Sequence, residues 1–220
     1  MSYQAIIFDM DGTIVDTEHI WRKATDTLLK NNGVLLDDYQ RRELHKRTSG
    51  LAVHKSAAVI IEMAKLPHSV PEIIAQKRGL AFQFYQEGIR FVEGFADFHA
   101  KVMGHKLKNG VATNADDATI EITNKAMNLE QFFGKHIYNI ACVNNVCKPD
   151  PAVYLFAAAK LGVDPAECIA IEDSAHGIDA AKAAGMLCIG INTSKNADQL
   201  ALADLIVDGY NEIELHNFIG

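Results

Sequence analysis

The stretch AIIFDMDGTIVDTE, residues 5–18, has two parts with different chemistry. Its first four residues form an apolar, β-branched run that predicts a buried β-strand. Asp9 and Asp11 follow the run one residue apart, and Gly12 and Thr13 then permit a turn. Side chains two residues apart in an extended chain point to the same side, so these two carboxylates converge. Such a pair needs a cation or a shared proton, which makes this strand end a candidate site.

From about residue 91 onward the chain alternates between short apolar runs and helical patterns. The runs are GVAT at 110, IYNIACV at 137, CIAI at 168, LCIGI at 187 and DLIV at 204. Asp-Pro pairs at 150–151 and 164–165 predict two helix starts, because Asp caps a helix and Pro tolerates its first position. This alternation predicts an α/β fold, a Rossmann-like parallel sheet with helices on both faces. Ligands of such sheets bind beyond the carboxyl ends of the strands.

Residues 17–88 break this alternation, because they contain helical patterns and no convincing strand. Apolar residues recur at helical spacing in three segments, which are 20–29, 57–64 and 73–84. The sequence therefore predicts an all-helical domain at 17–88. This domain is inserted into an α/β core that is formed by 1–16 and 89–220.

The later strand ends carry polar groups suited to a phosphate and a cation. Thr113 and Asn114 place a hydroxyl and an amide where a helix begins, and Lys148 stands in a loop immediately before a proline. Glu172 and Asp173 directly follow the run CIAI. Taken singly, each group can be explained as a helix cap or a solvated charge, and a capped turn explains the first aspartates equally well. Together at one edge of one sheet, they predict a functional site.

This set of groups suits phosphoryl transfer assisted by a hard divalent cation. Mg²⁺ takes oxygen ligands and keeps some of its waters, so one or two carboxylates and a phosphate oxygen are enough to hold it. The cation also allows a carboxylate to approach a negatively charged phosphate. Lys148, Thr113 and Asn114 would then stabilise the charge on the equatorial phosphate oxygens.

Four motifs, DMDGT, ATN, KPDP and IEDS, resemble in order and spacing those of the haloacid dehalogenase-like hydrolase superfamily. The resemblance is to its branch of sugar-phosphate phosphatases and β-phosphoglucomutase-like proteins, and it covers essentially the whole chain. It identifies the helical insertion with the cap domain of that family. It also implies that Asp9 is the nucleophile that forms an aspartyl-phosphate, while Asp11 protonates the leaving oxygen and later deprotonates the attacking water.

The resemblance further implies how Mg²⁺ and phosphate are bound. Mg²⁺ would be held by Asp9, by the backbone carbonyl of Asp11 and by Asp173, with Glu172 as a further ligand or next to the ligands. The transferring phosphate would be bound by Thr113, Asn114 and Lys148.

Substrate choice is expected to lie in the cap, whose most polar cluster is KRTSGLAVHK at 46–55. Arg47, Thr48, His54 and Lys55 are the candidates for substrate contact, although a solvated turn between helices explains each of them singly. Gly50 is a candidate for close approach of the backbone to a ligand.

The expected activity is Mg²⁺-dependent hydrolysis of a small phosphorylated metabolite, a hexose or pentose phosphate. A β-phosphoglucomutase-like phosphomutase is the closest alternative. Trp21 stands about where the sugar mutases tend to carry a histidine, which favours the phosphatase, but packing within the cap explains this tryptophan as well. Asp11 argues against a dehalogenase, since that class uses no metal and lacks this acid. A non-catalytic phosphate-binding protein is a distant alternative, because the nucleophile, the acid and the cation ligands are all present.

Composition limits the partners. The 220 residues carry a net charge of -7, which disfavours a broad surface for nucleic acid or anionic membrane. The N-terminus lacks a signal-peptide pattern and no run approaches the roughly 18 apolar residues of a membrane span, so a cytoplasmic enzyme is expected. The four cysteines form no C-x-x-C pair, and Cys168 and Cys188 are predicted to be buried. We expect a monomer or weak dimer.

Overall fold

The computed structural model describes residues 2–219, and within them six strands form one parallel β-sheet. The strands are β1 (Ala5–Phe8), β2 (Lys108–Thr113), β3 (Ile137–Asn139), β4 (Cys168–Glu172), β5 (Leu187–Ile191) and β6 (Leu205–Val207). Their order across the sheet is β3-β2-β1-β4-β5-β6, and every neighbouring pair is parallel. The strand order therefore reverses between β1 and β4, the position at which sheets of this kind bind ligands.

Nine α-helices lie in the part of the chain that the structure describes. They are α1 (Glu18–Asn31), α2 (Asp38–Thr48), α3 (Val53–Ala64), α4 (Val70–Gln86), α5 (Phe95–Gly104), α6 (Asp117–Met127), α7 (Glu130–Phe133), α8 (Ala152–Leu161) and α9 (Ala175–Ala183). The first four follow β1 and form the cap, while the other five alternate with the strands of the core. Among the described residues, no helix combines the length and the apolar character that crossing a membrane requires.

The sheet is buried on both faces, which explains why β1 is apolar at every position. Phe8 packs on one face against Phe95, with ring centroids 5.8 Å apart. Ile7 belongs to a second cluster on the opposite face, which includes Cys168 and Cys188. Successive side chains of a strand point to opposite faces, so a central parallel strand is an unbroken apolar run. The α/β prediction and the burial of the two cysteines are confirmed.

The cap has its own apolar core, in which Leu28, Leu44, Ile60 and Ile73 are fully buried. One residue of each of its four helices therefore meets at the centre of this bundle. The boundaries at 17–88 for the cap, and at 1–16 and 89–220 for the core, stay a prediction. Met1 and Gly220, the first and last residues of the predicted core, lie outside the described residues.

Two neighbouring segments of chain join the cap to the core. The backbone N–H of Asp16 donates to the carbonyl of Arg90 at 2.9 Å. The Arg90 guanidinium donates to Asp16 Oδ2 from Nε at 3.0 Å and from Nη2 at 2.8 Å. One residue away on each segment, Val15 forms an antiparallel bridge with Phe91. The chain thus enters and leaves the cap at adjacent points.

The two Asp-Pro pairs have different outcomes. At the first, the Asp150 side chain accepts a hydrogen bond from the N–H of Ala152, and α8 follows for ten residues. At the second, Asp164 caps a 3₁₀ turn that ends at Glu167, because β4 begins at the next residue. The predicted second helix is therefore a single turn. An Asp-Pro pair can therefore begin either a full helix or a single turn, and at the second pair the start of β4 ends the turn.

Candidate active site

The polar residues that follow β1, β2 and β4 meet at one edge of the sheet, beneath the cap. Asp9 and Asp11 follow β1, Thr113 ends β2, Asn114 follows it, and Asp173 follows β4. All five line a cavity of about 130 Å³ between core and cap. The structure therefore brings together the strand-end residues that the sequence singled out.

Lys148 lies at the centre of this edge and is almost completely buried, with 1% of its surface exposed. Its Nζ donates to Asp9 Oδ1 at 2.6 Å, to Glu172 Oε1 at 2.5 Å and to the carbonyl of Ala112 at 2.9 Å. The hydroxyl of Tyr154 also donates to Glu172 Oε1, at 2.8 Å. Tyr154 was missed by sequence reasoning, although its place on the helix directly after Lys148 was a usable signal. The lysine ties the end of β1 to the end of β4.

Carboxylates outnumber cations in this cluster. One oxygen each of Asp9, Glu172 and Asp173 lies within 4.8 Å of the others. When all three are ionised, Lys148 offsets one of the three negative charges and two remain. Burial raises the pKa of Asp9 to about 8, although Lys148 opposes this rise, and burial together with the Asp9 charge raises the pKa of Asp173 well above its usual range. A divalent cation with a preference for oxygen ligands fits both the donors and the charge.

The pKa of Lys148 moves in the direction that this cluster dictates. Burial alone lowers the pKa of a lysine, because it penalises the charged form. Asp9 and Glu172 outweigh that effect and raise the pKa of Lys148 above its ordinary value. The lysine is therefore a fixed positive charge at physiological pH.

Asp11 faces the cap rather than the carboxylate cluster. Its Oδ1 accepts hydrogen bonds from Thr17 Oγ1 at 2.5 Å and from Trp21 Nε1 at 3.3 Å. Burial raises the pKa of Asp11, and these two donors oppose the rise. Trp21 also packs edge-on against Tyr85 within the cap, so it has both the packing role expected from the sequence and a contact with the acid. A carboxyl in this position can hold a proton over the cavity.

Two glycines allow the strand ends to approach so closely. Gly12 has a φ of +86°, and a Cβ at this position would lie 2.0 Å from Asp173 Oδ2. A Cβ on Gly177 would lie 1.8 Å from Glu172 Oε1. Both positions therefore exclude a side chain, in the first case through backbone conformation as well. The glycine of the opening stretch makes room for the carboxylate that follows β4.

The predicted phosphate-binding residues differ in how free they are. Asn114 Nδ2 donates to the Gly50 carbonyl at 2.9 Å, and its Oδ1 accepts from the backbone N–H of Lys148 at 2.9 Å. The amide nitrogen carries a second hydrogen, which is left to donate to a phosphate. Thr113 Oγ1 accepts from the N–H of Ala115 at 3.0 Å, which leaves its hydroxyl hydrogen to donate. Lys148 Nζ already donates hydrogen bonds to two carboxylates and a carbonyl, as described above.

Of the cap residues predicted to contact substrate, Thr48 lines the cavity and Arg47, His54 and Lys55 do not, so contact of these three with substrate stays a prediction. Arg47 Nη2 lies 3.6 Å from Glu62, His54 Nε2 lies 3.8 Å from Cys147 Sγ, and Lys55 is exposed. The chain turns between α2 and α3, so neighbouring residues of this polar segment point to different sides. The cap wall includes instead Glu18, Trp21, Arg22, Ser49, Ser56 and Lys77.

Sequence reasoning missed Lys77, although its position carried a signal. It stands on α4 four residues after Ile73 and four before Ala81, and both of these are fully buried. A lysine in the apolar stripe of an amphipathic helix is an exception that requires explanation. Its Nζ donates to Ser56 Oγ at 2.8 Å, and burial lowers its pKa to about 8.

The cap rests on the core through close contacts. A Cβ on Gly50, which has a φ of +68°, would lie 2.6 Å from Ser174 Oγ, so the backbone approach expected at this glycine is to the core. Arg78 Nη2 on α4 forms an ion pair with Asp116, the N-cap residue of α6. These contacts join the cap to the core beside the strand ends.

A parallel sheet of this order, a helical cap and an acidic cluster at the strand ends define an α/β enzyme. The model of the family described as haloacid dehalogenase-like hydrolase matches residues 6–191. The chain therefore belongs to this family.

Known proteins resemble the chain over nearly its whole length. Hexitol phosphatase B of Escherichia coli (strain K12) is 30% identical, with 98% of this chain and 96% of that protein covered. Beta-phosphoglucomutase of Bacillus subtilis (strain 168) is 26% identical, with 96% and 92% covered. The structure of a CbbY mutant from Rhodobacter sphaeroides, in complex with xylulose-(1,5)bisphosphate, superposes with a TM-score of 0.82 at 28% identity, with 99% and 100% covered. The chain is an enzyme of this phosphatase and phosphomutase type.

Proposed function

We propose that this protein is an Mg²⁺-dependent phosphatase that hydrolyses a small phosphorylated metabolite through an aspartyl-phosphate on Asp9. The observation that carries the proposal is the cluster of three buried carboxylates at the strand ends, in which Lys148 pairs with Asp9 and Glu172 while Asp173 lies beside them. A nucleophilic carboxylate, an adjacent cation site and a separate acid are the groups that phosphoryl transfer requires.

Asp9 and Asp173 would hold the Mg²⁺. Glu172 accepts hydrogen bonds at both of its oxygens, from Lys148 and Tyr154 at Oε1 and from Ser174 at Oε2, so we place it beside the ligands. When bound, the cation supplies positive charge that lets a carboxylate meet a phosphate dianion. The backbone carbonyl of Asp11, predicted as a further ligand, completes the set that we propose.

The proposed reaction consists of two successive displacements at phosphorus. Asp9 attacks the phosphorus, and the bond from phosphorus to the leaving oxygen breaks while Asp11 gives its proton to that oxygen. Asp11, now ionised, takes a proton from water, whose oxygen attacks the aspartyl-phosphate and releases inorganic phosphate with Asp9 restored. Lys148 favours the ionised form of Asp9 before the attack and holds its side chain in place. Thr113 donates its free hydroxyl hydrogen to the transferring phosphate.

The substrate proposed is a phosphorylated sugar or a closely related polyol. The relatives are named for a hexitol phosphate and for phosphoglucose, and one binds a pentulose bisphosphate. The cavity of about 130 Å³ is smaller than the roughly 300 to 1,000 Å³ of pockets for drug-sized ligands, which also favours a small metabolite.

Release of phosphate from acetyl phosphate and p-nitrophenyl phosphate tests the proposal. We expect release to require Mg²⁺ and to fall by about four orders of magnitude or more in Asp9→Asn, because the nucleophile is lost. Asp97→Asn, an exposed aspartate on α5, is the matched control and should behave like the parent. Activity that survives in Asp9→Asn would contradict the nucleophile. Absence of turnover in the parent with all phosphate esters would favour a non-catalytic phosphate-binding protein.

A phosphomutase is the second candidate, and the similarity to Beta-phosphoglucomutase favours it. The two activities share the aspartyl-phosphate but differ in the acceptor, which is water in one and a bisphosphate precursor in the other. With β-glucose 1-phosphate and a trace of β-glucose 1,6-bisphosphate, we expect free phosphate to accumulate faster than glucose 6-phosphate. The opposite order would establish the mutase.

A cytoplasmic location and a monomeric or weakly dimeric state also stay predictions. Cell fractionation tests the first, and sedimentation velocity across a range of protein concentrations tests the second.

A further inference from the structure

The loop that follows β1 is held by two side chains from the far end of the chain. Tyr210, which follows β6, donates its hydroxyl hydrogen to the carbonyl of Thr13 at 2.9 Å. Thr193, which follows β5, donates from Oγ1 to the carbonyl of Gly12 at 2.7 Å. Both acceptors come directly after Asp11 in the chain. The bonded residues are 197 and 181 positions apart, so no local pattern of the sequence encodes either contact.

The backbone carbonyls of this loop have donors, with one exception. The carbonyl of Met10 accepts from two N–H groups of the same loop, at 2.9 and 3.1 Å. The carbonyls of Gly12 and Thr13 accept from the two side chains just described. Among residues 2–219, no donor forms a hydrogen bond with the carbonyl of Asp11. This oxygen is therefore available as a ligand for a cation.

The direction of the Asp11 carbonyl is set by the peptide to which it belongs. The N–H of the same peptide is that of Gly12, and it donates to the carbonyl of Val15 at 2.8 Å. Because the N–H and C=O of a trans peptide point in opposite directions, the Asp11 carbonyl points away from Val15. Gly12 packs against Asp173, since a Cβ on this glycine would lie 2.0 Å from Asp173 Oδ2. The peptide that bears the free carbonyl thus adjoins a predicted cation ligand.

The Tyr210 hydroxyl is a donor with a fixed direction. The side chain is 1% exposed, and its ring centroid lies 5.9 Å from that of Phe95 and 5.1 Å from that of Phe98. Both phenylalanines belong to α5. Packing on two rings restricts the tyrosine ring, so its hydrogen bond to Thr13 holds the turn with little freedom. The ring alone would fill this space, and the hydroxyl adds only the contact with the loop.

We propose that Tyr210, assisted by Thr193, is a positioning residue for the cation site. By holding the two carbonyls that follow Asp11, these side chains keep the turn in the conformation that directs the Asp11 carbonyl to Mg²⁺. The inference rests on the proposed function, since it takes Mg²⁺ to bind between this loop and Asp173. The segments after β5 and β6 thereby act on a reaction centre that they do not enter.

Binding of Mg²⁺ to the protein without substrate, measured by isothermal titration calorimetry, tests this role. Tyr210→Phe keeps the ring and removes the donor, and we expect its Kd for Mg²⁺ to rise about fivefold, the scale of one neutral hydrogen bond. Thr193→Val removes the second donor and should raise the Kd similarly. Hydrolysis of acetyl phosphate by either variant should need correspondingly more Mg²⁺, with an unchanged KM for acetyl phosphate at saturating Mg²⁺.

A matched control separates positioning from a general loss of stability. Tyr138 on the edge strand β3 is 8% exposed, and its hydroxyl lies 2.7 Å from His136 Nδ1. Tyr138→Phe therefore also removes a buried, hydrogen-bonded hydroxyl, but it should keep the parent's affinity for Mg²⁺. Urea denaturation without Mg²⁺ shows that each variant folds, and Thr193→Val carries the test if Tyr210→Phe does not.

Two outcomes would overturn the inference alone. One is an Mg²⁺ affinity in Tyr210→Phe and Thr193→Val equal to that of the parent, and the other is an equal loss of affinity in Tyr138→Phe. A parent protein that binds no Mg²⁺ would contradict the proposed function together with this inference.

Discussion

Two buried lysines, Lys148 in the core and Lys77 in the cap, have opposite surroundings. Lys148 and Lys77 are 1% and 5% exposed, so both have lost nearly all of their hydration. Lys148 is paired with Asp9 and Glu172, which raise its pKa above the ordinary value. Lys77 meets a serine hydroxyl, and burial lowers its pKa to about 8. The direction in which the pKa of a buried lysine moves therefore depends on its partners as well as on its burial.

This contrast matches the two tasks that an enzyme of this kind must perform. The phosphate and the cation are common to every substrate, so the residues that would bind them belong to the core. The leaving group differs from one substrate to another, and the cap contributes the other wall of the cavity. The difference can be tested by removing each lysine in turn.

Removal of the core lysine is expected to have the largest effect. Lys148→Met leaves Asp9 and Glu172 buried without their cation, and breaking a buried pair in this way costs about 3 to 5 kcal/mol. The free energy of unfolding, measured by urea denaturation at pH 7 without Mg²⁺, should fall by this amount relative to the parent. Lys46→Met is the control and should change it by less than about 0.5 kcal/mol. A loss no larger than that of the control would show that the cluster is not stabilised by its lysine.

Removal of the cap lysine should act in the opposite direction and depend on pH. In the unfolded chain the pKa of Lys77 has its ordinary value of 10.5, and in the folded protein it is about 8. Below pH 8 both states are protonated and the folded state bears the full cost of the buried charge, about 3 kcal/mol. Between pH 8 and 10.5 the folded state loses its proton while the unfolded state keeps it, so the cost declines.

Lys77→Met should therefore be more stable than the parent at pH 7, and its advantage should shrink as the pH rises toward 10.5. Urea denaturation of both proteins at pH 7, 8.5 and 10 measures this difference directly. A stability difference that stays constant over this range would mean that the lysine is not destabilised by burial.

The ion pair at the seam between cap and core should matter least. Arg78 and Asp116 are each more than a quarter exposed, so solvent screens their attraction. Arg78→Met is expected to loosen the closed cap by about 1 kcal/mol, which corresponds to a KM about fivefold higher for p-nitrophenyl phosphate. Exposed Arg42 on α2 provides the matched control. An increase that persists unchanged at 1 M salt would argue against an electrostatic contact.

The core could be read from the sequence because its signals are local and repeat at each strand. Apolar runs such as CIAI predict central strands, and parallel strands bring their ends to one edge of the sheet. The positions of Asp9, Lys148 and Asp173 follow from this rule with little further information. What the rule does not give is the pairing among them, since a hydrogen bond such as that of Tyr154 to Glu172 depends on the packing of α8.

The wall of the cap was harder to predict, because polarity alone does not tell which side of a turn faces the core. Arg47, His54 and Lys55 form a polar cluster in the sequence, yet the structure places them outside the cavity. Lys77 lies on the buried face of α4, where the sequence pattern predicts apolar residues. The usable signal was a charged residue at the same helical spacing as Ile73 and Ala81.

The adjacent linkers at Asp16 and Arg90 make the cap an exchangeable module. The chain leaves the core and returns to it at neighbouring points. The strand ends can therefore keep their arrangement when different helices are inserted between these two points. A new cap with closely spaced ends can therefore bring a different leaving-group pocket to an unchanged reaction centre. Variation in this family can in this way diversify substrates without altering the chemistry.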